Sequence, residues 1–536
     1  MSFHLPVLYF LFILCLSSSS SGQIVHRLTG DRFTHYRYDD WFSYATALDI
    51  TSIDIDESYI YFGSLGGGIL RYDKYENRWD SPYTTSNGLR SNIINKVVYN
   101  PLDGFLYAAT PAGIDVYKPA ERYWQPSDLS RMPLPREPQQ APNSAITPRD
   151  NFRFPPYSRP ANNQLPDFFT DITLTYQLGG GLLDEYNREF RLTDRIVDSW
   201  QRVWFGTDGL GPLMADLFHI WLEPKTQSIP HIAPRDLYVN EDYMWIGGLQ
   251  NGLEIAGITF WDRRNDEWTY FEAPFIPQLY KDDVYAIAAD DRYALFATIH
   301  GIAAFDRKKD IWKTLTTQHG LEGDKVFDVQ ISGNTAFAGT EFGFNWIDLS
   351  SMKVYEAAET TLDNVQIYQL SVDDSATVWA ATRYGLYSID IQNDKIRFYP
   401  ARAGIVDYEM HAVEKIGSEI WVATDAGKIA YWDQKRDEWR SFPDLILQQR
   451  SDRPYEKYVF KPKIRDIEAT KNAVWFATDE GLLKYDRKRD YWRIFTEEDG
   501  LINENTFHID PEGNYLWVST DAGITRFRWK RKGRID

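Results

Sequence analysis

The 536-residue chain holds a single cysteine, Cys15, inside a segment that reads as a removable leader. Once that segment is cleaved no thiol remains, so neither disulfides nor thiolate metal sites hold the mature chain together. Basic charge is also scarce: 58 Lys and Arg face 77 Asp and Glu, a formal net charge of −19. A polyanion must be met by clustered Lys and Arg. The one basic run, Arg526, Arg528, Lys530, Arg531, Lys532 and Arg534, closes the chain and reads as a solvated tail, so no nucleic-acid partner is expected. Beyond residue 22 no apolar run approaches the ~18 residues of a membrane-spanning helix. His-Glu-x-x-His, Gly-x-Ser-x-Gly, a phosphate-binding Gly-rich loop with Lys and an EF-hand loop are all missing. Catalysis is therefore not signalled. No cofactor or metal is expected, and a bound cation has no motif behind it.

An apolar stretch, Leu5 to Leu16, precedes small residues from Ser17 to Gly22, so residues 1–22 read as a secretory signal. The lack of Lys or Arg before it also fits a signal anchor. Cleavage is the reading adopted, leaving a mature chain of 23–536 in the periplasm, outside the cell or on its surface. That chain is rich in aromatic residues, with 19 Trp, 34 Tyr and 30 Phe in the whole sequence, which favours β structure.

A short phrase recurs: aromatic, two small residues, Thr, two variable residues, Gly. It stands at Tyr107 to Gly113, Phe296 to Gly301, Phe337 to Gly343, Trp379 to Gly385, Trp421 to Gly427, Trp475 to Gly481 and Trp517 to Gly523. Degenerate copies lie at Phe62, Trp204 and Trp245. Thr298, Thr340, Thr382 and Thr424 share one register, and Thr478 and Thr520 return to it. A second phrase follows each first one: aromatic-Asp, five residues, Trp, as in Tyr72-Asp73 to Trp79, Phe305-Asp306 to Trp312 and Tyr485-Asp486 to Trp492. This is a hairpin with a charged tip, its Asp suited to bind turn amides. With an alternating strand such as Ile464-Arg465-Asp466-Ile467, each unit of about 42 residues holds four short strands, A to D, which matches one blade of a radial β-propeller. The fold class is thus all-β, with about ten units.

These phrases resemble the two-component-regulator propeller repeat, found in the periplasmic sensor half of hybrid histidine kinases and in stand-alone exported proteins. The resemblance covers most of residues 40 to 530 and is weakest at 127 to 230. It implies the fold and is poor for activity. The sequence stops at Asp536, directly after the last repeat and without a kinase, so a sensor-kinase role in cis is not carried over.

Trp41-Phe42-Ser43-Tyr44 reads as a strand D that completes the final unit, removing a free edge. One closed ring follows, with two smaller rings as the alternative. Residues 126–190 read as an insertion in the propeller, proline-rich over 126–166, and Gly179, Gly180 and Gly181 mark a hairpin behind it. A smaller insertion lies around Asp444 to Lys463.

Candidate ligand-binding residues lie in the connectors from strand D to the next strand A. Asn92, Asp324 and Glu504 are equivalent in position, with His319, Glu322, Asp407 and Glu409 nearby. A carboxylate ring at a tunnel mouth binds a cation or a sugar. The structural alternative, that these side chains cap the turn into strand A, is favoured because repetition itself implies a structural task. Asp208, Asp425, Asp479 and Asp521 read as turn formers, Trp379, Trp421, Trp475 and Trp517 as core between sheets, and His300 and His411 as structural. The functional expectation is an exported, monomeric, non-catalytic propeller that binds a protein or glycan. A detached sensory module of a two-component system and a polysaccharide lyase or hydrolase at the tunnel mouth are the alternatives.

Overall fold

The computed structural model describes residues 22–25, 35–134 and 157–534, less 171–173, 178–180, 185, 231, 251–256, 273–275, 280–282, 357–359, 374–376, 394, 401–408, 425, 443–444 and 449–456. Residues 1–21, read from the sequence as a leader, the middle of the proline-rich stretch, Asp407 and Asp425 lie outside the described residues. The fold is all-β. Ten antiparallel sheets follow in chain order, each with four strands lettered A to D from the inside outward. They span 50–83 (sheet 1), 96–126 (sheet 2), 189–224 (sheet 3), 232–272 (sheet 4), 284–315 (sheet 5), 326–356 (sheet 6), 367–399 (sheet 7), 410–442 (sheet 8), 464–495 (sheet 9) and 506–527 (sheet 10).

The recurring phrases are the turns of these sheets. In the first, the threonine hydroxyl donates to the carbonyl of the glycine three residues on: Thr110 to Gly113 (2.9 Å), Thr340 to Gly343 (3.0 Å), Thr382 to Gly385 (2.8 Å) and Thr520 to Gly523 (2.8 Å). The bond crosses the B–C hairpin and ties its two strands at the turn. In the second, the Asp accepts backbone N–H groups at the C–D turn, as Asp73 does from Tyr75 (2.9 Å) and Glu76 (3.0 Å). The aromatic and the Trp then pair directly across strands C and D, as Tyr72 with Trp79, Phe305 with Trp312 and Tyr485 with Trp492.

Buried carboxylates join the sheets to one another. On strand A, a side chain accepts the backbone N–H of strand A in the next sheet: Asp236 from Ile287 (2.7 Å), Asp328 from Leu370 (2.6 Å), Gln369 from Val413 (2.9 Å), Asp466 from Ile509 (2.9 Å) and Asp510 from Val239 (2.8 Å). The last of these runs from sheet 10 to sheet 4. Apolar packing follows the same order, and Tyr44, Trp517 and Ile524 of sheet 10 share one core with Leu237, Met244, Ile246 and Trp261 of sheet 4. The succession of sheets 4 to 10 thus returns to its starting member.

Sheets 1 to 3 stand apart from that circuit. Asp194 of sheet 3 accepts from Ile53 of sheet 1 (2.9 Å), and Asp54 of sheet 1 from Tyr99 of sheet 2 (2.9 Å), giving the packing order 3, 1, 2. The far face of sheet 3, with Val203, Phe205 and Leu222, packs against Phe168, Leu182 and Tyr176. These belong to the insertion, whose strands Leu174–Gln177 and Gly181–Asp184 form the expected hairpin and pair onto strand A of sheet 3. The single ring of about ten units is therefore corrected: sheet 10 packs its face on sheet 4 and meets sheet 1 at the edge, where Trp41–Tyr44 lies beside Arg78–Tyr83 and Ser43 bonds Ser86 (2.6 Å).

Trp41–Tyr44 pairs antiparallel with Gly523–Phe527 as strand D of sheet 10, and Trp41 stacks on Phe527 at 3.8 Å. The basic C-terminal run is not a solvated tail. Arg528 and Arg531 each lie 3.1 Å from Asp39, and Arg531 (2.7 Å) and Arg534 (2.6 Å) flank the buried Asp40. The two acids precede Trp41, so ion pairs clasp the seam that the strand closes. Gly22–Val25 runs parallel to strand D of sheet 9, beside the added hairpin Leu445–Gln448 and Lys457–Phe460.

Candidate binding site at the mouth of the sheet circuit

Strand A of every sheet in the circuit carries a β-bulge near its start, where the pairing register skips Arg235, Tyr285, Phe327, Tyr368, His411 and Arg465, and in sheet 10 Phe507 with His508. A bulge re-aims the extra side chain and ends strict alternation. Here seven equivalent bulges bring seven side chains together as a collar. Tyr285 meets Phe327 at 6.0 Å between ring centroids, Phe327 meets Tyr368 at 5.9 Å, and Tyr368 stacks on His411 at 4.1 Å. On the other side the guanidinium groups of Arg235 and Arg465 lie over the Phe507 ring at 3.5 and 4.2 Å. Lys325 adds its ammonium 4.8 Å from Phe327. Six of the seven are half-exposed, and Phe507 is buried beneath the two arginines.

Hydrogen bonds hold the collar from outside. Arg465 Nη1 donates to Asn505 Oδ1 (2.6 Å) and the Thr506 carbonyl (2.7 Å), and Arg235 lies 3.6 Å from Asp521. Glu409 accepts the Tyr368 hydroxyl and lies 3.7 Å from His411 Nε2. His411, read from the sequence as structural, is therefore part of the collar.

Next in the strands comes a buried polar layer. His508 Nε2 lies 3.1 Å from Asp236 and Nδ1 3.1 Å from Asp466, so one imidazole links sheets 4, 9 and 10. Burial alone would depress His508, but the two carboxylates outweigh it and hold its pKa well above the ordinary value. Burial pushes Asp236 and Asp510 up to about 7 and Asp328 up to about 6, against the N–H bonds each accepts. Burial likewise raises Glu414 to about 8 and Glu468 well above the carboxylate range. Several of these acids serve as latches between sheets, which gives them a structural task. Among the described residues no cluster of three or more His, Cys, Asp or Glu is placed to hold a metal ion.

The connector residues singled out by sequence distribute unevenly. Asn92 accepts the Thr85 N–H (2.8 Å) and Asp324 the Thr317 N–H (2.7 Å), in equivalent turns that follow sheets 1 and 5. His319 takes the Thr316 N–H on Nδ1 (3.2 Å). Glu322 is half-buried, raised by burial and by Glu356 and Asp363. Glu504 is exposed beside Asn505. Of these, Glu409 touches collar side chains directly. Asp208 and Asp479 accept the N–H of Arg191 and of Lys463 (2.7 Å), respectively, at the start of their own strand A or just before it. Trp421, Trp475 and Trp517 are fully buried between sheets.

No protein-family model and no curated protein sequence matches this chain. Among solved structures it is similar to PorZ, described as an essential bacterial surface component of the type-IX secretion system of Porphyromonas gingivalis. Identity is 12%, the TM-score is 0.55, and the match covers 91% of this chain and 87% of that one. The extracellular domain of a putative one component system from B. thetaiotaomicron matches at 13% identity and a TM-score of 0.43, over 90% of this chain and 71% of that one. That of a putative hybrid two component system from the same organism matches at 15% and 0.42, over 88% and 60%. The likeness is one of fold. Among the described residues no helix is long and apolar enough to cross a membrane.

Proposed function

We propose that the chain is an exported binding protein: a seven-bladed propeller, closed by its own N-terminal strand, that holds a ligand or partner at the collar without converting it. A three-bladed arc is inserted at its seam. The observation that carries this reading is the collar itself, in which Arg235, Tyr285, Phe327, Tyr368, His411, Arg465 and Phe507 occupy one structural position in seven consecutive sheets. Residues kept for the fold at a repeated position would be of one kind. These differ in kind, remain half-exposed, and combine flat apolar faces with fixed cations, the mixture that recognises partners at protein surfaces. Glu409, Asp521 and Lys325 touch collar side chains from outside, and the acids next along the strands, Asp236, Asp328, Asp466 and Asp510, are buried and accept backbone N–H groups. The likeness to a surface component of a secretion system and to extracellular domains supports a role outside the cytoplasm.

The test is capture. The purified mature chain is presented to arrays of glycans and of extracellular protein fragments, beside a variant carrying Phe327→Ala and Arg465→Ala. Capture of a defined ligand by the parent, weakened at least about tenfold in the variant and released unaltered in mass, is the expected outcome. Equal capture by both proteins would remove the collar from the interface, and release of a cleaved ligand would make the protein an enzyme.

A further inference from the structure

Of the six strand-B tryptophans of the repeat, four give their indole N–H to an acceptor and two do not. Each buried indole needs an acceptor for its N–H. Trp204 has Asp198 (3.0 Å), Trp421 has Glu419 (2.9 Å), Trp475 has Thr470 (3.2 Å) and Trp517 has Glu512 (2.9 Å). Trp379 of sheet 7 is 2% exposed and its Nε1 has no acceptor. Trp245 shares the lack but is packed among Phe260, Phe271 and Phe296. Trp379 packs on Tyr399 and Trp432, and it also lines a cavity of about 510 Å³ in the gap between sheets 7 and 8. The matching gap between sheets 5 and 6, around Tyr293, Ala304 and Lys313, holds about 100 Å³.

The enlarged gap carries positive charge on a protein whose net charge is −19. Lys395, Arg397 and Lys415 line it beside Asp373 and Asp390. Both carboxylates are engaged by their own turns: Asp390 accepts Asn393 N (3.1 Å) and Nδ2 (2.8 Å), and Asp373 accepts Thr377 N (3.1 Å). Lys415 is spent on the Gly417 carbonyl and Gln434 Oε1. Lys395 and Arg397, both exposed, have no ion-pair partner within 4.0 Å among the described residues. Two cations and a buried, unsatisfied indole N–H therefore converge on one space.

We infer that the gap between sheets 7 and 8 is a second binding site, separate from the collar, for a small molecule bearing an oxyanion. The anion meets Arg397 and Lys395 at the entrance, and an oxygen of the same molecule accepts the Trp379 N–H. A cavity of about 510 Å³ falls in the size range of small-molecule sites, roughly 300–1,000 Å³, so the occupant is larger than the ion alone. Carboxylate, phosphate and sulfate share this chemistry.

Titration calorimetry of the mature chain with glucuronate, glucose 6-phosphate and glucose 6-sulfate, with glucose as the neutral control, tests the site and tells the three anions apart. At least one anionic sugar is expected to bind more tightly than glucose, and more weakly as salt is raised. Arg397→Gln, at an exposed position that folding tolerates, should weaken it at least about tenfold. Trp379→Phe, which keeps the ring and removes the N–H, should weaken it about fivefold, the worth of one hydrogen bond. The collar variant Phe327→Ala should bind it as the parent does, so that failure of the collar reading and failure of this one are distinguishable. If no anionic sugar outbinds glucose, or if the bound one ignores both Arg397→Gln and Trp379→Phe, the inference is overturned.

Discussion

Sheets 4 to 10 and sheets 1 to 3 use the same unit, most of them turned by a hydroxyl-to-glycine bond, as at Thr110, Thr207 and Thr340, and both latched by acids on strand A, yet they diverge where the unit is free to vary. At the bulge of strand A the circuit places Arg, Tyr, Phe, Tyr, His, Arg and Phe, half-exposed in all but the last. The equivalent bulges of the arc hold Thr51 and Thr193. Their hydroxyls are turned onto backbone carbonyls, Thr51 onto Ile94 (2.6 Å) and Thr193 onto Ile50 (2.5 Å). The arc spends the position on joining sheets, whereas the circuit leaves it facing solvent, where the proposed function places recognition. The ends differ as well. The circuit closes on itself through Trp41–Tyr44, whereas the arc covers an end face of sheet 3 with Phe168, Leu182 and Tyr176 from the insertion. A propeller face that does not meet another sheet must be covered by something else, because an exposed apolar sheet face invites association.

The comparison breaks most visibly at the seam. Trp41→Ala removes a fully buried indole stacked on Phe527, and should cost about 3–5 kcal/mol. In limited proteolysis the circuit should then open before the arc; loss of the arc first would contradict the seam's role.

The latches offer a second test through pH. Asp328 is raised to about 6 by burial, above its unfolded value of about 3.9. Between those values the unfolded chain ionises while the native carboxyl stays protonated, so stability falls as pH rises, by up to about 1.4 kcal/mol per unit for one group. Asp328→Asn keeps an acceptor for Leu370 N–H and should flatten the loss of thermal midpoint between about pH 4 and 6. Asp54, raised to about 6 by the same burial, should behave likewise in the arc, and an unchanged slope in both variants would show that these groups do not set it.

Smaller effects sharpen the contrast. Thr340→Val deletes a hydroxyl that donates to Gly343 O and accepts Gly343 N at 3.0 Å in each case, and should cost about 1–2 kcal/mol by chemical denaturation. Thr51→Val in the arc should cost about 1 kcal/mol and leave ligand capture untouched. Phe327→Ala in the circuit should do the reverse, weakening capture while moving stability by less than about 1 kcal/mol, because its side chain is already half in water. Equal losses in both assays for both variants would erase the division of labour.

Much of this was readable without coordinates. The four-stranded unit followed from its phrases because each phrase is a local device: a hydroxyl reaching three residues, an Asp holding its own turn, two aromatics across one hairpin. The strand D at Trp41 was legible for the same reason, since it resembles Trp492 to Phe495 before Gly500. The collar was not, although its residues stood inside strands such as Val284-Tyr285-Ala286. Alternation hid them, because a bulge leaves the sequence unmarked while changing where one side chain points. Nor did His411 show in the sequence that it sits in the collar, because a lone histidine carries no sign of the tyrosine stacked on it from another sheet.

The closing contrast lies between local and non-local determination. By itself the sequence determined the unit, its turns, the inserted hairpin and the strand that closes the last sheet, since each rests on residues a few positions apart or on a repeated pattern. Only the tertiary structure decided that sheet 10 meets sheet 4, that Asp39 and Asp40 clasp the basic C-terminus, and that seven bulges form one collar. Near-identical units can stack in any number. Which two become neighbours depends on the fit of whole faces, such as Tyr44, Trp261 and Trp517, and not on any motif that one unit contains.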